Sequence, residues 1–345
     1  MCSDTPGAQI LDFKLGFGDI GSTDRQRMTV QYNEQGDAAG LPTALFMNAA
    51  LSFSTRVAAG LTGTIACECE FYNIIRPQLS IEAPISRYAN QDAGSCRAII
   101  ILEDLVATKG ARFCDPTKDY ISRPQAEVLV NLLADFHGRY MDNHHAQDLL
   151  ALPTWEETFA KIVKVAMIST YGHKGLLAAA DLLPPGVLRR SKEVWPATLK
   201  ATQLGLKTQR TLTHGDVHIK NWYFTDQGSL GLSDWQTCAR GPFTRDLAYA
   251  ISAALTVEDR REWERDLLTL YLERINEISG IKIPFESTFL SYRQQMFSAL
   301  ALWTPTLRPP AFMPAMQPEN VSREYIKRFT HAIEDLDSFD AVSLE

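Results

Sequence analysis

One short stretch, His214-Gly-Asp216-Val-His218-Ile-Lys-Asn221, sets an aspartate five residues before an amide, with histidines around it. Thirteen residues beyond Asn221, a second acidic side chain opens Asp234-Trp-Gln236. Two chemistries suit this set. Phosphoryl transfer needs a carboxylate to orient an attacking hydroxyl and hard oxygen ligands to hold Mg²⁺ against phosphates. Asp216, Asn221 and Asp234 have those types. In the alternative, His214, Asp216 and His218 alternate along an extended segment, share a face and hold Zn²⁺ or another transition metal, as in a metal-dependent hydrolase. That second reading leaves Asn221 without a task.

Local elements must bring these side chains together. Two apolar stretches, Trp222–Phe224 and Leu230–Leu232, flank Thr225-Asp-Gln-Gly228 and read as a hairpin that returns Asp234 toward the loop. The first hundred residues read as strand-rich. Arg27–Tyr32 alternates, Thr43–Met47 is a short candidate, and Ala98–Leu102 is β-branched and apolar, as a buried strand would be. Ile65–Ile75 reads as a short helix. Beyond Leu105 the pattern turns helical. Ser122-Arg-Pro-Gln125 is a capping box ahead of Leu129, Leu132, Leu133 and Phe136 at helical spacing. Another helix is expected from Thr256, burying Trp263, Leu267, Leu270 and Tyr271. Pro305, Pro309, Pro310, Pro314 and Pro318 are expected to break the chain into an extended segment. Trp303 and that segment either wall a pocket or cross the surface. His137 reads as a packing histidine, and Lys220 as a solvent-exposed lysine.

The stretch from His214 to Asn221 resembles the catalytic loop of the aminoglycoside phosphotransferase and choline kinase-like family, whose pattern is His-Gly-Asp-x-His-x-x-Asn. The resemblance implies an α+β, protein-kinase-like, two-lobed fold: a small β-rich lobe over 1–105 and a larger, mainly helical lobe over 106–345. It makes Asp216 the catalytic base, and Asn221 and Asp234 the Mg²⁺ ligands. Asp246, in Gly241-Pro-Phe-Thr-Arg-Asp-Leu-Ala-Tyr249, would brace the loop, with His214 and His218 as structural support. Gly18, Gly21 and Ser22 would turn over the nucleotide phosphates, and Glu68 matches the family's helix glutamate. Ile101-Leu-Glu-Asp-Leu105 would be the hinge, with Glu103 and Leu105 at the adenine.

One position departs from the family pattern. Where a third-strand lysine usually meets the α/β-phosphates and pairs with the helix glutamate, this chain reads Leu45-Phe-Met-Asn48. No lysine occurs between Lys14 and Lys109, which leaves Arg27 and Arg56 as candidate substitutes. The expected function is transfer of the ATP γ-phosphate to a hydroxyl of a small molecule, with Mg²⁺ as cofactor and a rate tempered by Asn48. The alternative is a kinase-like nucleotide-binding protein with weak or no transfer.

Composition sets the outer bounds. At 345 residues the chain buries a large core without staples. A net charge of −7 disfavours a nucleic-acid partner. The six cysteines are scattered without metal-ligand spacing, as suits a reduced, cytoplasmic setting. The polar N-terminus lacks signal-peptide character. Ala98–Leu102 is the longest strongly apolar run and is far too short for a membrane span.

Overall fold

The computed structural model describes residues 5–20, 23–311 and 317–343. The chain divides into two compact units, Met1–Arg112 with Tyr223–Gln236, and Phe113–Trp222 with Thr237–Glu345.

The first unit is built on a five-stranded antiparallel sheet of β1 (Ile10–Ile20), β2 (Asp24–Tyr32), β3 (Ala44–Ala50), β4 (Ser86–Asp92) and β5 (Arg97–Glu103), in the order β1-β2-β3-β5-β4. The alternation read in Arg27–Tyr32 is real: Val30 and Tyr32 are buried while Thr29 and Gln31 are exposed. Along β5 the buried positions are Ala98, Ile100 and Leu102, with Glu103 buried at its end. The helix expected over 65–75 runs as Thr64–Glu70 and continues as a π-helical turn, Phe71–Ile75.

The expected boundary at 105/106 falls inside this unit, which also takes in the hairpin segment Tyr223–Gln236. Backbone hydrogen bonds explain the grouping. Asp226 N–H donates to the Lys109 carbonyl at 2.9 Å, and Leu232 N–H donates to the Glu82 carbonyl at 3.0 Å.

The second unit is mainly helical. Ser122 and Gln125 form the expected capping box on the helix Arg123–Arg139. Thr256 caps Val257–Ser279, with Glu258 and Asp259 favourably placed in its first turn. In that helix Leu268 is buried, and Leu270 is only partly so. The helix Phe243–Ala254 is buried on every side, as a core helix of a large unit must be. Pro305 does not break the chain: it lies inside the helix Phe285–Leu307, close to its end, where a proline removes only one hydrogen bond. Pro318 caps the next helix, Glu319–Asp335, and Pro314 lies outside the described residues. No helix among the described residues is long and apolar enough to cross a membrane.

Candidate active site

In the second unit a two-stranded ribbon, Arg210–Thr213 against Ala239–Pro242, leads directly into the loop. Gly215 turns the chain there at φ +86°, and a Cβ on it would stand 2.4 Å from the Thr237 carbonyl oxygen. Only glycine satisfies both constraints.

Asp246 anchors the turn from below. Its carboxylate accepts the backbone N–H of His214 at 2.6 Å and of Gly215 at 3.1 Å. It also meets Arg245 Nη1 at 3.3 Å and His137 Nε2 at 3.4 Å. All three side chains are fully buried. Burial alone raises a carboxyl's pKa, but the His137 and Arg245 contacts outweigh it and hold Asp246 below its ordinary value. His137 is thus the packing histidine expected, held also by the Tyr271 hydroxyl at 2.9 Å, and burial keeps its pKa low.

The loop then presents Asp216, whose side chain is 21% exposed. Its Oδ1 accepts from the Tyr249 hydroxyl at 2.8 Å, and its Oδ2 lies 3.4 Å from His218 Nε2. Burial opposes ionisation, yet His218 and then Tyr249 overcome it and lower the pKa to about 2. Asn221 Nδ2 donates to the Asp216 backbone carbonyl at 2.8 Å, which fixes the amide's orientation within the loop.

The alternative reading of His214, Asp216 and His218 as a metal triad fails on this geometry. His214 is buried, and its Nδ1 accepts the Asp216 N–H at 3.1 Å. Among the described residues no group of three or more His, Cys, Asp or Glu side chains is placed to hold a metal. Lys220 is not solvent-exposed: it is partly buried and donates to Gln317 Oε1 at 2.5 Å.

Sequence reasoning missed Tyr249 as a partner of Asp216 and Trp303 as the support behind Tyr249. The Trp303 indole donates to the Tyr249 hydroxyl at 2.6 Å, and Trp303 also packs edge-on against the His218 ring. Trp303 is therefore a buried support of the loop and does not cross the surface.

The first unit carries the remaining expected residues. Asn48 lies at the centre of the sheet, opposite Arg25 and Ile100, and its Nδ2 donates to Glu68 Oε2 at 2.9 Å. Glu68 thus has a buried partner despite the missing lysine. Its own pKa is pushed well up, first by burial and then by the charge of Asp234. Asp234 follows the hairpin at φ +65°, a left-handed conformation that aspartate tolerates better than most residues. The next residue, Trp235, stacks on Phe71 with ring centres 3.9 Å apart and planes 6° from parallel. Its indole donates to the Leu232 carbonyl at 3.2 Å. Because Phe71 follows Glu68 by three residues, this stack ties the Asp234 turn to the glutamate's helix.

Of the expected nucleotide contacts, Gly18 sits at a register shift in β1, and a Cβ there would strike the Arg25 carbonyl oxygen at 2.6 Å. Gly21 and Ser22 lie outside the described residues. Glu103 ends β5, and Leu105 opens the short helix Leu105–Lys109 that Asp104 caps. The Glu103 carboxylate accepts the Ile85 N–H at 2.9 Å and meets Lys109 Nζ at 3.3 Å, and the Leu105 carbonyl accepts the Ala111 N–H. Of the two candidate cations, Arg27 faces Asp104 at 3.5 Å. Arg56 Nε is buried without a hydrogen-bond partner.

Comparison with known proteins agrees with this architecture. Residues 56–280, more than half of the chain, match the family described as APH, the phosphotransferase enzyme family. No curated protein matches the chain. Among solved structures, the ethanolamine kinase of Plasmodium vivax is 12% identical with a TM-score of 0.50, covering 93% of this chain and 81% of that one. LicA in complex with AMP is 13% identical with a TM-score of 0.50, covering 96% of this chain and 94% of that one. LicA is a choline kinase of Streptococcus pneumoniae. At such identities the likeness is one of fold, α+β with an antiparallel N-terminal sheet and a mostly helical remainder.

Proposed function

This chain belongs to the phosphotransferase enzyme family, and from that membership we propose that it transfers the γ-phosphate of ATP to a hydroxyl of a small molecule. The chain is a small-molecule phosphotransferase; the nucleotide, the acceptor group and the residue roles are the proposal.

The observation that carries it is the state of Asp216. A carboxylate with a pKa of about 2, fixed by Tyr249 and His218, is ionised throughout the neutral range. Such a group orients an acceptor hydroxyl as a hydrogen-bond acceptor and takes its proton late, when the oxygen has already become acidic through bond formation to phosphorus. A loose transition state makes little demand on base strength and a large demand on position. The Tyr249–Trp303 chain and the Asp246 brace provide that position.

Asn221 and Asp234 would hold Mg²⁺: an amide and a carboxylate are the hard oxygen donors this ion prefers. Bound there, the ion would supply charge neutralisation for the phosphates. The segment Glu103–Leu105 is proposed to face adenine, and Gly18 to let the backbone approach the phosphates. Acceptor identity follows from the pocket and not from the fold.

The test is ADP formation on a panel of small alcohols and amino alcohols with Mg²⁺·ATP. Acceptor-dependent ADP release that Asp216→Asn abolishes supports the proposal. Nucleotide binding without ADP release on any acceptor favours the non-transferring alternative.

A further inference from the structure

The two edges of the first unit's sheet are built differently. β4 reads Ser86-Arg-Tyr-Ala-Asn-Gln-Asp92 and is mostly polar, as an edge strand usually is. β1, the other edge, carries Ile10, Leu11, Phe13, Leu15 and Phe17 at exposed positions. Leu11 is 66% exposed, Phe13 57% and Leu15 49%. Phe13 and Leu15 stand opposite Val30 and Met28, so they extend the apolar cluster of Val30, Tyr32 and Leu45 to the rim of the sheet. Among the described residues, the backbone of 11–17 makes no hydrogen bond beyond its ladder with β2. An apolar edge with an open row of backbone donors and acceptors is a template for another strand.

The side chains of this edge select the partner. Leu11-Asp12-Phe13-Lys14-Leu15 is symmetric about Phe13 in its apolar residues and antisymmetric in its charges. Laid antiparallel against a second copy with Phe13 opposite Phe13, each Leu11 meets the other copy's Leu15, and each Asp12 meets the other copy's Lys14. Both charged residues are exposed, and among the described residues neither forms an ion pair. On β2 they face only the neutral Gln31 and Thr29. Opposite charges directly across two strands attract, and like charges repel. A slip by one residue sets charge against apolar side chain, so the pattern specifies one register. The register shifts of β1 lie between Ile10 and Asp12 and between Leu15 and Gly18, which leaves Asp12–Leu15 regular.

We propose that β1 pairs antiparallel with β1 of a second copy of this chain about a two-fold axis at Phe13, joining the two sheets edge to edge. Such a pairing is isologous and closes as a dimer. An extended segment of another protein would satisfy the backbone edge but has no reason to match Asp12 and Lys14 in this order. The ribbon is short and buries less than the about 800 Å² per partner of a standard interface, so the dimer is reversible and depends on concentration. None of the residues assigned to phosphoryl transfer takes part, and the two proposals stand or fall separately.

The test is sedimentation velocity on the full chain from micromolar to sub-millimolar concentration. Wild type is expected to pass from monomer to dimer. Asp12→Lys and Lys14→Asp each turn both cross-strand pairs into like-charge pairs, and each is expected to weaken dimerisation roughly tenfold. The double variant Asp12→Lys/Lys14→Asp restores opposite charges in the same register and is expected to restore the wild-type affinity. Asp12→Lys also moves the net charge of −7 toward zero, which would favour non-specific association, so weaker pairing in that variant is diagnostic. All three variants alter exposed side chains, and circular dichroism melts confirm that they are folded. A chain that stays monomeric throughout overturns the proposal, as does a species larger than a dimer. A dimer that either single variant leaves unchanged, or that the double variant fails to restore, overturns it as well.

Discussion

The Tyr249 hydroxyl donates to Asp216 Oδ1 at 2.8 Å while it accepts from the Trp303 indole at 2.6 Å. The ionised carboxylate is thereby held from behind by a chain of two buried aromatic residues. Tyr249→Phe removes a hydrogen bond to a charged group, worth about 1.5–3 kcal/mol. A fall in kcat of roughly tenfold or more is expected. The pH profile should move as well. Tyr249 is one of the groups that lower the Asp216 pKa to about 2. Its loss lets that pKa rise toward the ordinary range, so the acid limb of kcat shifts to higher pH. Parallel pH–rate profiles of wild type and Tyr249→Phe check this.

Asp246 is a stability residue before it is anything else. Asp246→Ala leaves Arg245 buried without its carboxylate and strips the acceptor from two backbone N–H groups. A loss of about 3–5 kcal/mol is expected, read by urea unfolding at neutral pH. The sign of the pH effect follows from the lowered pKa. A carboxyl whose folded pKa lies below its unfolded value near 3.9 stabilises above that value. The contribution is lost as pH falls through the folded pKa. The gap between wild type and Asp246→Ala should therefore narrow on acidification below about pH 4.

Gly215→Ala is expected to cost about 1–3 kcal/mol from strain in the left-handed region, with a clash against the Thr237 carbonyl in addition. Because Asp216 is the next residue, kcat should fall more than stability alone accounts for. Acceptor-saturated kcat, measured well below the melting temperature, separates the two effects.

The loop itself was legible in the sequence because its logic is local: the His214 and Asn221 side chains both bond to the backbone of Asp216, within a few residues. Caps at Ser122 and Thr256 were legible for the same reason. The supports were not. Tyr249 and Trp303 lie 33 and 54 residues from their partners in the chain and look like ordinary helix core in an apolar pattern. Lys220 reads as a surface residue until the partly buried contact with Gln317 is seen. Pro305 reads as a breaker because sequence alone does not reveal that the helix has already run most of its length and ends at Leu307. Glu68 read as orphaned by Asn48, since a lysine was the expected partner; an amide donor takes that place instead.

A crystal structure with Mg²⁺ and a non-hydrolysable ATP analogue tests the central claim most directly. The account predicts Asn221 Oδ1 and an Asp234 carboxylate oxygen on a common metal at about 2.1 Å, with the Asp216 carboxylate facing the γ-phosphate. A nucleotide bound with its metal on neither Asn221 nor Asp234, or with its γ-phosphate remote from Asp216, would contradict it.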